Sequence, residues 1–143
     1  MPLENFGSVL NFAESIENQD QEFYRLAAEN PACQAFKQVF EELAAEAARN
    51  VKTIQRIRRE QITEMILEPI RDFTRSSFCE ACEGASLLPA SGILEAAARL
   101  EARGERYYTE GAEKMKSLPE VARALKTLGK IRKSRLTKVL SLK

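Results

Sequence analysis

The chain has 143 residues, with 22 Lys and Arg against 21 Asp and Glu, three cysteines and no histidine. The missing histidine removes the commonest general base and the commonest transition-metal ligand. Three cysteines behind an N-terminus with no basic region and apolar run argue for reduced thiols in a cytoplasmic protein, and no stretch approaches the ~18 apolar residues of a membrane span.

Ala, Glu, Arg and Leu dominate the long segments, which favours an all-α protein, and the length suits one domain spanning residues 1–143. Charge is unevenly placed. Residues 1–120 hold 21 acids and 14 bases, whereas residues 121–143 hold eight bases and no acid. A cationic last segment is thus joined to an anionic body.

The first predicted helix runs from Leu3 to Glu29, with Phe6, Val9, Leu10, Ala13, Ile16, Phe23 and Ala27 at helical spacing. Glu17 falls on the edge of this stripe. Pro31 then breaks the helix. The second runs from Gln34 to Glu60 on Phe36, Val39, Phe40, Leu43, Ala47, Asn50, Val51, Ile54 and Ile57, with Glu46 beside the stripe. "QITEMILEPIRDF" follows, as an extension or a short extra helix that Pro69 interrupts.

A third helix begins near Ala90 with Ser91 as its cap, and carries Ile93, Ala97, Leu100, Gly104, Tyr107, Tyr108 and Met115. In the fourth, Ser117 is the expected cap, Pro119 suits the first turn and Glu120 complements the helix dipole; Val121, Leu125, Leu128, Ile131, Val139 and Leu140 form the stripe. Roughly thirty residues separate the second helix from the third, spacing that suits a four-helix bundle with one long crossover. The halves also repeat: "SIENQDQEFY" and "RLEARGERYY" each place a Glu seven residues before a Tyr, so Glu17 and Tyr24 correspond to Glu101 and Tyr108.

Three helices therefore each bring one glutamate near the interior, and carboxylates so arranged can hold hard or borderline cations. In "NFAESIENQDQEFYRLAAE", "VFEELAAEAARNV" and "ILEAAARLEARGERYYTEGAEKM" the chain resembles the rubrerythrin branch of the ferritin-like family. That resemblance implies a ferritin-like bundle, a homodimer or higher homo-oligomer, and a non-haem di-iron site made of one Glu from each of two helices and a Glu-x-x-His from each of the others. Glu17, Glu46 and Glu101 stand at three of the four glutamate positions. Arg49 stands at the first histidine position, and the last helix offers Ile131 and Ser134, or Arg132 and Arg135 in a register shifted by one. Neither register supplies a ligand. The rubredoxin module of full-length rubrerythrins, with its two CxxC pairs, is also missing from the sequence.

Three buried glutamates without a cation would repel one another and pay a desolvation penalty of several kcal/mol each. Arg49, Lys130, Arg132 and Arg135 are the candidate replacements for the metal. The leading expectation is an atypical rubrerythrin-like protein with no resident cofactor, without ferroxidase or peroxidase activity, and with Tyr24 and Tyr108 beside the remnant site. An alternative is a metal-handling protein or oxidoreductase holding iron or manganese on carboxylates, completed by Glu14, Asp20 or Glu42 or across a subunit interface. A second alternative rests on Cys33 with the CxxC of Cys79 and Cys82, which at one end of such a bundle would form a zinc or thiol-redox site. The basic last helix keeps an apolar stripe, so pairing with the acidic body or a neighbouring subunit is expected rather than binding to nucleic acid or a membrane.

Overall fold

A computed structural model describes residues 6–61, 73, 78 and 88–142. The described residues are all-helical, with no strand among them. Helix α1 is Phe6–Glu29, a short 3-10 helix covers Pro31–Phe36, α2 is Lys37–Gln61, α3 is Ala90–Lys114 and α4 is Pro119–Leu140. The expected helix over the "QITEMILEPIRDF" segment, and the expected start at Leu3, lie outside the described residues.

The boundaries differ from expectation where proline chemistry decides them. Residues 34–36 belong to the 3-10 turn: Asn30 caps it by accepting from the Ala32 amide at 2.9 Å, and Pro31 sits in its first turn. In α3 the cap is Pro89, with no side-chain bond, and Ser91 lies inside the helix. In α4 the cap is Leu118 rather than Ser117, while Pro119 and Glu120 take the first turn as their chemistry favours.

Helix α1 packs along α2, and α3 packs along α4; the two pairs meet through α1 with α3 and α2 with α4. The direction of the α1–α3 contact is antiparallel, since Tyr24 reaches Glu101 while Tyr108 reaches Glu17. The turn after α1 is tied to the residues just before α3 through the Asn30 side-chain amide, which donates to the Leu88 carbonyl at 2.8 Å.

The interior is built in three layers. One apolar layer gathers Val9, Leu10, Ile54, Tyr107, Met115, Val121 and Leu125, with Phe73 of the crossover stacked on Tyr107 and Phe78 edge-on to it. The other gathers Phe23, Tyr24, Phe40, Leu43, Ile93, Leu100 and Val139 around buried Cys33. Between them lies a layer of charge. The α4 stripe departs from expectation in that Leu140 is exposed and Ile131 half-buried, because the inward face runs through Leu125, Leu128, Arg132, Arg135 and Val139. No described helix is long and apolar enough to cross a membrane.

Candidate functional site: a buried guanidinium–carboxylate cluster

Glu17 and Asp20 lie one turn apart on α1, Glu101 and Arg103 on α3, and Arg132 and Arg135 one turn apart on α4. Their side chains meet in the middle layer, each 2% exposed or less. Three carboxylates thus face three guanidiniums, and the cluster is formally neutral.

Arg132 is its centre. Its Nε and Nη2 donate to Glu17 Oε2 at 3.0 and 2.7 Å, and its Nη1 donates to Asp20 Oδ2 at 2.5 Å and to Glu101 Oε1 at 2.8 Å. The planar fork of arginine allows one side chain to reach carboxylates on two helices in this way. Space for it comes from Gly104. A methyl group on Gly104 would lie 2.6 Å from Arg132 Nε and 2.7 Å from Cζ, well inside contact distance.

Arg103 completes Asp20 from the other side, with Nη2 donating to Oδ1 at 2.6 Å. Its Nη1 donates to the Phe78 carbonyl at 2.9 Å and so pins the crossover to the charged layer. Arg135 lies 3.1 Å from Glu101 Oε2, 3.7 Å from Glu17 Oε1 and 3.7 Å from Glu46 Oε2, with its guanidinium 5.9 Å from the Tyr24 ring centre. None of its nitrogens makes a hydrogen bond among the described residues, so Arg135 is held by charge and by the ring face.

The tyrosines cross over: the Tyr24 hydroxyl donates to Glu101 and the Tyr108 hydroxyl donates to Glu17 Oε2 at 2.6 Å. The repeat seen in the sequence is therefore also a reciprocal hydrogen-bond pair. Asn50 of α2 adds a longer contact to Glu17 Oε1 at 3.4 Å. All four helices contribute.

Titration follows from these contacts. Burial works to raise Glu17, but Arg132 and Arg135 with the Tyr108 bond outweigh it and hold the carboxyl below its ordinary value. For Asp20 burial wins over Arg132 and Arg103, aided by repulsion from Glu17 and Glu101, and the group is pushed up to about 6. Burial and the neighbouring carboxylates raise both tyrosines well above the ordinary phenol value. Arg132 is raised by Glu17, Asp20 and Glu101 against the pull of burial.

The expected replacement cations divide. Arg132 and Arg135 enter the interior, which selects the shifted register of α4, whereas Arg49 and Lys130 are exposed and make no ion pair among the described residues. Glu46 stays at the rim, its side chain 34% exposed, because Arg135 fills the space toward Glu17. Of the alternative ligands, Glu14 pairs with Arg58 at 2.8 Å and Glu42 with Lys138 at 3.0 Å, both near the surface. Cys33 is buried and free, and burial raises its thiol. Cys79 and Cys82 lie outside the described residues. Sequence reasoning missed Arg103, whose signal was its place on the inner face next to Gly104.

The donor set does not fit a pair of metal ions. All six oxygens of Glu17, Asp20 and Glu101 already face an N–H or O–H donor, and three fixed positive charges stand where a cation would add more. Among the described residues no group of three or more Asp, Glu, Cys or His is placed to hold a metal ion. No protein-family model, curated protein or solved structure matches the chain.

Proposed function

We propose that this chain is a ferritin-like bundle of the rubrerythrin kind in which a guanidinium cluster has taken the place of the di-iron centre. It acts without ferroxidase or peroxidase chemistry, through the surface of the bundle. The observation that carries this reading is Arg132, a fully buried cation bonded at once to Glu17, Asp20 and Glu101. The crossed Tyr24 and Tyr108 bonds support it, because they saturate the two glutamates that the resemblance marks as ligands.

A guanidinium satisfies these carboxylates permanently, since it does not lose its proton in the accessible pH range. The cluster therefore serves to fix four helices in one arrangement rather than to exchange ligands. The test is elemental analysis of untagged protein from cells supplied with iron, manganese and zinc. The expected result is no iron or manganese retained through gel filtration and no change in unfolding midpoint when either ion is added. Retention of either metal that disappears in Glu17→Gln overturns the reading.

A further inference from the structure

Some cations near the surface have ion-pair partners. Arg25 pairs with Glu22 and Glu29, Arg58 with Glu14, Lys116 with Glu113 and Lys138 with Glu42. Among the described residues, two rows of exposed cations do not. On α2, Arg49, Lys52, Arg56 and Arg59 are exposed and make no ion pair among the described residues. On α4 the same is true of Arg123, Lys126, Lys130 and Lys133. Both rows follow the spacing i, i+3, i+7, i+10, so each runs along one side of its helix.

A groove lies between the two helices. One part, about 340 Å³, is walled by Asn50, Thr53 and Arg56 on α2 and by Arg123, Ala124 and Leu128 on α4. The other part, about 350 Å³, continues past Lys130, Ser134 and Arg135 toward Lys138 and Glu46. The parts share Thr127 and Ile131, so the groove is continuous from Glu120 to Lys138, a span of about 27 Å at 1.5 Å per residue. Its floor is apolar or hydroxyl-bearing at Ala124, Leu128, Ile131 and Thr127; of the two rows only Arg56, Arg123 and Lys130 line it, joined by Lys138, while Lys126 and Lys133 turn toward the α3 side of α4.

We propose that this groove docks an acidic amphipathic helix of a partner protein. Arg123, Lys130 and Lys138 follow one another about two turns apart along the α4 rim, with Arg56 facing them from α2, so a helix laid along the groove brings carboxylates against them while its apolar stripe meets the floor. A span of about 27 Å accommodates roughly eighteen helical residues. Glu46 and Glu120 line the same groove and would repel the unbroken phosphate row of a nucleic acid. A membrane surface would want apolar side chains standing outward, and here they form the floor of a concavity. The proposal goes beyond the reading of the interior and stands whether or not that interior binds metal.

The probe is a synthetic helical peptide of about eighteen residues with leucines in one stripe and glutamates on both flanks. Its controls are a scrambled peptide of the same composition, a short DNA duplex and phosphatidylserine vesicles. Binding of the helical peptide that weakens with salt and falls about tenfold or more in Arg56→Glu/Lys130→Glu, but not in Arg25→Gln, is the expected result. Where the charge-reversed protein loses helicity, Arg56→Gln/Lys130→Gln replaces it. The proposal is overturned by absence of binding, by equal binding of the scrambled peptide, by equal binding to the double variant, or by tighter binding of the duplex or vesicles.

Discussion

Arg132 shows how a single residue sets the character of a core. Removing one partner from a buried ion network leaves the others desolvated and uncompensated, at a cost of about 3–5 kcal/mol. Arg132→Met should therefore lose about that much stability in urea unfolding, while Lys130→Met, two residues earlier and exposed, should stay within about 0.5 kcal/mol of the parent. Equal effects would contradict the central role given to Arg132. Asp20 has a different signature. Its folded value of about 6 stands above the ordinary 3.8, so the folded protein keeps a proton that the unfolded chain has released, and the contribution of this group to stability falls as pH rises from one value to the other. Glu17, held low, works in the opposite sense: its contribution is present above the ordinary glutamate value and is lost as pH falls through its folded value. Unfolding free energies of Asp20→Asn and the parent, compared across that acid window, should differ with a slope of the first sign; a flat difference would sink the assignment. The spacing of Glu17, Tyr24, Glu101 and Tyr108 made these four legible in the sequence, because a repeat of 84 residues is a pattern that chance side chains rarely copy. Arg103 was passed over although it falls three residues after Leu100 and four before Tyr107, because a charged residue on an apolar stripe reads as an interruption until its partner Asp20 is known.

At the scale of elements, the decisive feature is the register of α4 against α3. Leucines and isoleucines at 125, 128, 131 and 140 fit two rotations of the helix about equally well, so apolar spacing alone could not choose between Ile131 with Ser134 and Arg132 with Arg135 as the inward pair. What chooses is charge: buried carboxylates on α1 and α3 need partners, and only one rotation delivers them. Gly104 takes part in this choice by leaving room for the guanidinium. Gly104→Ala should destabilise the parent by more than about 2 kcal/mol, despite the better helix propensity of alanine. In an Arg132→Met background the same change should cost less than about 1 kcal/mol, since the flexible methionine can yield to the added methyl. A double-mutant cycle measures the coupling, and strict additivity would contradict the close approach. The helix starts were poorly legible for a related reason. Serine is a good cap in isolation, but Pro89 and Leu118 hold those places because the chain is already turning there.

Across the whole molecule, the charged layer separates two apolar layers that draw on all four helices. Its shortest bonds run between α1, α3 and α4, and Asn50 of α2 adds a longer one. In the parent protein the amides of Phe40 and Tyr107, one in each apolar layer, should exchange with solvent only through global opening. In Arg132→Met their opening free energies should separate, because each layer then opens without disturbing the other. Coincident exchange in that variant would show that the apolar layers cooperate without the cluster. The sequence distances in the cluster carry a further consequence. Glu17 and Arg132 are 115 residues apart, and the interior cations that meet Glu17 lie on the last helix. As the chain leaves the ribosome, α1, α2 and α3 are complete while Glu17 still waits for its counter-charge. Closing the interior at that stage would bury Glu17 with Tyr108 and Asn50 as its donors but with no counter-charge, so the expected order is that the interior shuts only when α4 arrives.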